Sequence, residues 1–541
     1  MTSPAALQSW SLIVASEAET RLVAECFAAK AAPGDTITLS GDLGAGKSTF
    51  ARYFIRALLE VDDAEVPSPT FTLVQHYDTP RFEVRHFDLY RLGSADEVGE
   101  LDFDDPDGTI VRLIEWPDRA AGELPDERFD VVLEEADGGE TARRITVHAY
   151  GAAGAKLVRI EKMHAFIREE GEQAALGRLR LAPLQGDAST RSYARVRIDR
   201  EPSTSEEAAG RPAWAGRSAL IMDMPRMGDG PVIRDDKTYS AIAHLAEDAG
   251  PFVAIAANLR EAGLAAPAIY AFNRADGLAL IADLGDMTFA AALAAGLDQG
   301  MLWNAALDVL IHLHGIRPPE AITDTRFGGL AHEMPRYDED VLAAEVDLLC
   351  DWYWPLKTGA AMPKGERDTF HALWRDLIDE VAWRAGDTTK QHWVLRDFHS
   401  PNLIWREGRA GLERVGIIDF QDAQIGHAAY DLVSLAEDAR LDVPKALRDQ
   451  LIERYCAAVF KDTTSDEAVQ FRRVAAILGA QRNTKILGIF ARLAMRDGKE
   501  RYLAHIPRIK RYLGWDLADG DLADLRGWFE ANPFLSSPHQ S

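Results

Sequence analysis

Cysteine is nearly absent: the 541 residues hold three, Cys26, Cys350 and Cys456. None stands in a C-x-x-C pair or at a Cys/His spacing, which excludes a disulfide framework and gives no sign of a zinc site. Long apolar runs are missing as well. No segment approaches the about eighteen uninterrupted apolar residues of a membrane-spanning helix. The opening MTSPAALQSWSLIVASEAET lacks both the basic start and the apolar core of a secretory signal. Basic charge is the third scarcity. Sixty Lys and Arg stand against 86 Asp and Glu, a net charge of −26, which disfavours direct, non-specific binding to nucleic acid or to an anionic membrane. A cytoplasmic protein is expected, and any connection to RNA is expected to run through a partner. The chain is too long for one core, and its motifs divide it in two.

The first motif, DTITLSGDLGAGKSTFARYFIRALL, reads as strand, glycine-rich loop and helix. Gly41, Gly46, Lys47 and Ser48 fall in the pattern G-x-x-x-x-G-K-[ST], a phosphate-binding loop in its expected setting. Glycines let backbone N–H groups turn inward around phosphate oxygens, and the helix N-terminus adds the positive end of its dipole. ATP is therefore expected against Gly41, Gly44, Ala45, Gly46, Lys47, Ser48 and Thr49, with Lys47 on the β and γ oxygens and the Ser48 hydroxyl on Mg2+. Such a site also needs a carboxylate at the end of a neighbouring strand. Two stand there: Asp88, past the alternation in FEVRHFDLYRL, and Glu115, closing the run Ile110, Val111, Leu113, Ile114.

The second centre lies in VLRDFHSPNLIWREGRAGLERVGIIDFQDA. Asp397 and Asn402 stand in the spacing D-x-x-x-x-N, and Asp419 follows Val415, Ile417 and Ile418 of a short apolar strand. That is the catalytic-loop and metal-loop pair of kinase-like folds. One carboxylate must accept or orient the substrate hydroxyl, while an amide oxygen and a second carboxylate hold the magnesium ions. Asp397, Asn402 and Asp419 fit those roles in order.

Both centres carry a family resemblance. GDLGAGKST, VPSPTFTLV, HFDLYRL and IEWPDR together resemble the small ATPase subunit of the bacterial tRNA threonylcarbamoyladenosine biosynthesis complex, over about residues 1 to 150. The resemblance implies Lys47 and Ser48 on phosphates and metal, Glu115 as a magnesium ligand, Asp88 as a catalytic acid and Pro67 to Phe71 as a switch-like segment. It also implies partners, the carbamoyl-transferase subunit and its paired scaffold subunit, which themselves handle the tRNA. Charge agrees: residues 1–160 carry 29 acidic and 15 basic side chains, a poor direct ligand for RNA. The acidic run Asp96 to Asp107 reads equally as a docking face for a basic partner or as a solvated loop.

RDFHSPNLIW, GIIDFQDAQIG and YDLVSLAED resemble the aminoglycoside-phosphotransferase superfamily, most closely its bacterial N-acetylmuramate/N-acetylglucosamine kinases, which phosphorylate the anomeric hydroxyl in cell-wall recycling. Leu395 departs from the His usual at that position. The expected fold is thus an α/β P-loop NTPase domain over residues 1–155, a connector over 156–163, and an α+β two-lobed kinase-like (aminoglycoside phosphotransferase) domain over 164–541, its N-lobe ending near residue 285. The expected function is bifunctional, support of the tRNA modification and phosphorylation of the amino sugars, with ATP and Mg2+ serving both. Two alternatives stay open: the same fold acting on choline or an aminoglycoside, or one nucleotide site kept as a non-catalytic assembly module.

A helix is expected over 164–176, followed by two strands and a polar turn in LRLAPLQGDASTRSYARVRID. The resemblance in QGDAST-R-Y points to a nucleotide cover at Gly186 to Ser192, with Gly186, Ser189 and Thr190 near the phosphates. EPSTSEEAAGRPAWAGR reads as an exposed insertion. Where kinases place the lysine that grips the phosphates, this chain has Met222 and Asp223, leaving Arg191, Arg195 and Lys237 as candidates. His312 and His314, two apart, do not share a helix face and make a poor metal pair. Trp352, Tyr353 and Trp354 read as core packing ahead of sugar stacking.

Overall fold

The apolar runs of the first 150 residues assemble into one seven-stranded sheet. Its strands are β1 (Gln8–Val14), β2 (Thr36–Ser40), β3 (Val74–Asp78), β4 (Glu83–Asp88), β5 (Ile110–Glu115), β6 (Arg128–Glu135) and β7 (Arg143–Tyr150), in the order β1-β7-β6-β2-β5-β4-β3. β2 pairs in parallel with β5 and β6, and β4 with β5. Strands of this kind are covered on both faces: four of the five residues of TITLS, both threonines among them, and five of the six of IVRLIE are buried. Helices α1 (Glu17–Lys30) and α2 (Lys47–Leu59) pack with the sheet; the Ser16 hydroxyl caps α1 by accepting the Glu19 N–H. The parallel register sets Leu39 and Asp88 opposite Glu115, so the glycine-rich loop and both acids emerge at the same, carboxyl edge of the sheet.

This computed structural model describes residues 8–92, 95–120, 122–173, 179–184, 191–198, 218–226, 228, 230, 232–234 and 236–532. The expected nucleotide-cover residues Gly186, Ser189 and Thr190, and the insertion at 201–217, lie outside them.

The chain leaves the first sheet by a helix, not by a connector. Residues 156–163 lie inside α3 (Ala153–Gln173), which begins well before the expected start at 164. Gly151, at φ 61°, turns the chain out of β7. Beyond Ala153 the residues are mostly good helix formers, and the buried Leu157, Ile160, Met163, His164 and Ile167 recur at three- and four-residue spacing. The Gly/Ala-rich YGAAGAK suggests a linker only while composition is weighed above this period.

A second, five-stranded sheet follows, with β8 (Leu179–Pro183), β9 (Ser192–Ile198), β10 (Ala219–Asp223), β11 (Ile269–Asn273) and β12 (Leu278–Ala282) in the order β11-β12-β10-β9-β8. Its apolar face does not close on itself. Leu181, Val196, Ala219, Ile221 and Leu280 join a single continuous core with Phe27 and Phe54 of the P-loop layer and with Leu157 and Ile160 of α3. Polar contacts reinforce the seam. Glu25 accepts the Leu181 N–H at 2.8 Å, and the Lys30 ammonium donates to Ser192 at 2.7 Å. Asp223, 3% exposed, is paired with both Lys30 and Arg159. One compact unit of the chain is accordingly Met1–Pro225 with Tyr270–Asp283, and it contains both sheets.

The other unit, Arg226–Ile269 with Leu284–Ser541, is mainly helical. Its principal helices are α4 (Gly250–Glu261), α5 (Gln299–His314), α6 (Glu339–Leu348), α7 (Lys364–Val381), α8 (Ala429–Ala436), α9 (Lys445–Val459), α10 (Asp466–Met495) and α11 (Ile506–Asp519). Of the short antiparallel pairs that interrupt them, two concern the site below: β13 (His392–Val394) with β16 (Gln424–Gly426), and β14 (Leu403–Trp405) with β15 (Val415–Ile417). Tyr353 and Trp354 are buried, in keeping with core packing. His312 and His314 go to separate partners, the Ala262 carbonyl and the Tyr455 hydroxyl. The three cysteines are buried and unpaired. No helix among the described residues is long and apolar enough to cross a membrane.

The seam makes a direct prediction. Asp223→Ala strands two cations in a largely buried site, a loss on the order of 3–5 kcal/mol for a broken buried pair. Thermal unfolding of the full chain should fall accordingly, and hydrogen exchange should rise in α1 as well as in β9 and β10. Exchange rising in the five-stranded sheet alone would contradict a shared core.

Candidate functional site

The first candidate site grows from the β2–α2 turn. Gly41, Gly44 and Gly46 all take positive φ, at 140°, 85° and 109°. A Cβ on Gly41 would fall 2.2 Å from the Leu133 carbonyl oxygen, so only glycine fits there. Ala45 is buried between these glycines, and Lys47, Ser48 and Thr49 form the first turn of α2. Lys47 donates to the carbonyl oxygens of Gly41 and Asp42 at 2.7 and 2.8 Å and lies 3.8 Å from the Trp116 ring centre. Burial pushes its ammonium below the usual lysine range, with Glu115, Asp88 and Asp42 opposing that shift. The Ser48 hydroxyl donates to Glu115 Oε2 at 2.9 Å, and His86 Nε2 stands 3.0 Å from Glu115 Oε1. Asp88 Oδ2 accepts from the hydroxyls of Ser68 and Thr70 at 2.6 and 2.7 Å, which ties the segment from Pro67 to Phe71 to the strand end.

These donors suit a magnesium nucleotide. Ser48 and Glu115 are hard oxygen ligands side by side, as Mg2+ requires. Lys47 rests on neutral carbonyls that a phosphate oxygen can replace.

The second candidate site is built on the β13–β14 and β15–β16 turns. The Asn402 side-chain N–H donates to the Asp397 carbonyl at 3.0 Å and to Asp419 Oδ2 at 3.3 Å, so the three expected residues do converge. Asn402 Oδ1 is left as an acceptor beside the Asp419 carboxylate, a pair that could hold Mg2+. Gln421 steadies Asp419 by donating to Oδ1 at 3.2 Å. Arg396 and Asp419 both adopt left-handed backbone, at φ 73° and 63°. Strain of this kind costs roughly 1–3 kcal/mol per residue and persists only where neighbours enforce it.

The enforcing neighbours are the part sequence reasoning missed. Asp431, on α8, accepts the N–H groups of Leu395 and Arg396 at 2.6 and 2.9 Å, and Asp438 accepts that of Ser400 at 2.6 Å. Arg396 reaches the Ala243 carbonyl at 2.7 Å and the Glu345 carboxylate, which also takes Lys485 at 2.9 Å. Burial alone would push Glu345 up, but Lys485 and Arg396 hold it at about 2. Burial pushes Asp431 up to about 7 against the opposing pull of its two N–H donors. The available signal was an acid inside the apolar run YDLVSL, where a charge needs a partner.

The phosphate-gripping candidates are scattered. Arg195 donates to Asp283 Oδ2 at 2.7 Å and is buried, Lys237 is exposed, and Arg191 is half-buried. Asp223 points its charge at Lys30 and Arg159, so β10 offers no cation in place of the lysine.

Asp431→Leu leaves two buried N–H groups unpaired, at about 1–3 kcal/mol each. Denaturant unfolding should register that loss, and an unfolding curve matching wild type would contradict the role given to Asp431.

Comparison with known proteins places these two sites in families. The family model described as "Threonylcarbamoyl adenosine biosynthesis protein TsaE" matches residues 14–145, and "Phosphotransferase enzyme family" matches residues 234–469. An N-acetylmuramate/N-acetylglucosamine kinase of Caulobacter vibrioides is 34% identical over 375 residues, 68% of this chain and 94% of the relative. The tRNA threonylcarbamoyladenosine biosynthesis protein TsaE of Bacillus subtilis is 40% identical over 134 residues, 25% of this chain and 81% of the relative. Its counterpart in Rickettsia bellii is 38% identical over 134 residues, 25% of this chain and 92% of the relative. The chain therefore belongs to two families at once, to TsaE through its P-loop portion and to the N-acetylmuramate/N-acetylglucosamine kinases of the phosphotransferase enzyme family through the remainder.

Proposed function

We propose that the kinase portion transfers the γ-phosphate of ATP to the anomeric hydroxyl of N-acetylmuramate and N-acetylglucosamine, and that the P-loop portion is the ATPase of the tRNA threonylcarbamoyladenosine machinery, both in the cytoplasm. The observation that carries the first half is the convergence of Asp397, Asn402 and Asp419 in a chain so similar to a kinase of those sugars.

In this reading the Asp397 carboxylate orients the sugar hydroxyl and takes its proton as the oxygen–phosphorus bond forms and the bond to the β-phosphate oxygen breaks. An anomeric hydroxyl is more acidic than an ordinary alcohol, so orientation supplies much of what the step needs. Asn402 Oδ1 and Asp419 would hold Mg2+, which when bound neutralises charge on the transferring phosphoryl group. Asp431 and Asp438 keep the loop that carries Asp397 and Asn402 in register.

For the P-loop portion, support comes from Leu43 and Phe71, apolar side chains 83% and 82% exposed beside the glycine loop and in the segment tied to Asp88. Large apolar groups left open there suit a protein partner better than water. The carbamoyl-transferase and scaffold subunits are the partners proposed, with tRNA reached through them.

Two experiments test the proposal. Steady-state assays over a panel of amino sugars, choline and aminoglycosides should find turnover only with the amino sugars. Asp397→Asn should lower it by about 10²–10⁴-fold with the KM for ATP little changed, whereas Asp419→Asn should also weaken magnesium-nucleotide binding. Turnover confined to cationic acceptors would overturn the acceptor. Lys47→Ala should abolish partner-stimulated ATP hydrolysis while leaving sugar phosphorylation near wild type, since the contacts of Lys47, the Gly41 and Asp42 carbonyls and the Trp116 ring, all lie in the P-loop layer; hydrolysis unchanged in that variant would remove the P-loop from the account.

A further inference from the structure

Buried cations in this protein are almost all matched to a carboxylate. In the second unit Arg396 and Lys485 share Glu345, and Arg448 lies between Glu437 and Asp516. The other buried arginines and lysines among the described residues are paired likewise, with two exceptions. Lys47 and Arg482, each 5% exposed, have no carboxylate at ion-pair distance. For Lys47 the reason is plain: it belongs to a phosphate-binding loop, and its counterion arrives with the nucleotide.

Arg482 calls for the same explanation. It sits in the middle of α10 and makes one hydrogen bond, from Nη1 to the Glu437 carbonyl oxygen at 3.4 Å. Its other guanidinium nitrogens have no partner among the described residues, yet they are not sealed from solvent. The Asp431 charge is within electrostatic reach of this guanidinium, yet no carboxylate among the described residues bonds it directly, and a fork this buried and left open is costly unless something completes it.

Its position says what that something is. The Glu437 carbonyl it meets is one residue from Asp438, whose carboxylate holds the Ser400 N–H in the loop between Asp397 and Asn402. The charge of Arg482 reaches His399, where it helps keep that ring's pKa below the usual range set first by burial. The metal-side residue Asp419 is tied to Gln421, which also bonds Asp422. Arg482 therefore lies beside the catalytic loop, on its Asp438 side.

We infer that Arg482 is the receptor for a carboxylate on the acceptor, the lactyl carboxylate that N-acetylmuramate carries and N-acetylglucosamine lacks. The inference rests on the sugar-kinase reading above. The planar fork of arginine matches a carboxylate with two parallel hydrogen bonds, which a lysine cannot reproduce. N-acetylglucosamine occupies the same site without filling this contact, so Arg482 sets the preference between the two sugars and leaves the chemistry at Asp397 alone.

The test is steady-state kinetics of the full-length protein, wild type, Arg482→Lys and Arg482→Met, with each sugar and with ATP varied in turn. Arg482→Met should raise the KM for N-acetylmuramate by about 10- to 100-fold. The KM for N-acetylglucosamine and for ATP should stay within about twofold and kcat should hold, the signature of a lost binding contact. Arg482→Lys should recover part of the muramate affinity. An equal loss on both sugars would make Arg482 a structural residue, and a raised KM for ATP would give it to the nucleotide phosphates; either overturns the assignment. If the Met variant does not fold, the ratio of the two sugars' KM values in Arg482→Lys carries the same decision. A wild-type protein that phosphorylates neither sugar would overturn the underlying reading, and this assignment with it.

Discussion

The kinase centre depends on one constraint: a loop bent into left-handed backbone at Arg396 must be held there without its own regular hydrogen bonds. Asp431 does this by taking two consecutive N–H groups, and Asp438 takes a third at Ser400. Both acids belong to one short segment, α8 and the turn after it, so the loop that carries Asp397 is referenced to a single rigid element. Arg396 adds a second anchor through Glu345, itself buried and kept ionised by Lys485. The Asp397 loop is thus positioned by buried groups of the fold, an arrangement in which precision comes from burial as much as from the hydrogen bonds themselves.

In the other unit the same logic joins two families. Lys30, at the end of α1, and Arg159, in α3, converge on Asp223 in the five-stranded sheet, and the apolar core runs unbroken through the junction. α1 packs against α2, whose first turn is the phosphate-binding loop. The P-loop layer is consequently structural to the sheet beside it, whatever it contributes in catalysis. Joining two cores in this way buries apolar surface that would otherwise face water. It does not by itself couple the two nucleotide sites, because coupling needs a difference in interaction between states.

How much of this was legible follows from the range of each signal. The P-loop could be read because its constraints are local: glycines at positive φ, then a lysine, then a helix. The convergence of Asp397, Asn402 and Asp419 could be read because their spacing belongs to two adjacent turns. Asp431 and Glu345 could not be assigned, since their partners lie 36 and 51 residues away and only the fold reveals them. Asp223 was legible as a missing lysine but not as a seam residue, for its partner Lys30 is 193 residues distant. α3 was hidden by small residues at its start, which resemble a linker in composition but not in period. Arg482 lies in the middle of the long helix α10, and only the want of a carboxylate at ion-pair distance among the described residues marks it out.

The central claim is that this centre phosphorylates an amino sugar at its anomeric oxygen. Phosphorus NMR of the product formed from ATP and N-acetylmuramate or N-acetylglucosamine tests it most directly. The account predicts a sugar 1-phosphate, identified by coupling of phosphorus to the anomeric proton. A 6-phosphate, or no phosphosugar at all from a folded protein, would contradict it.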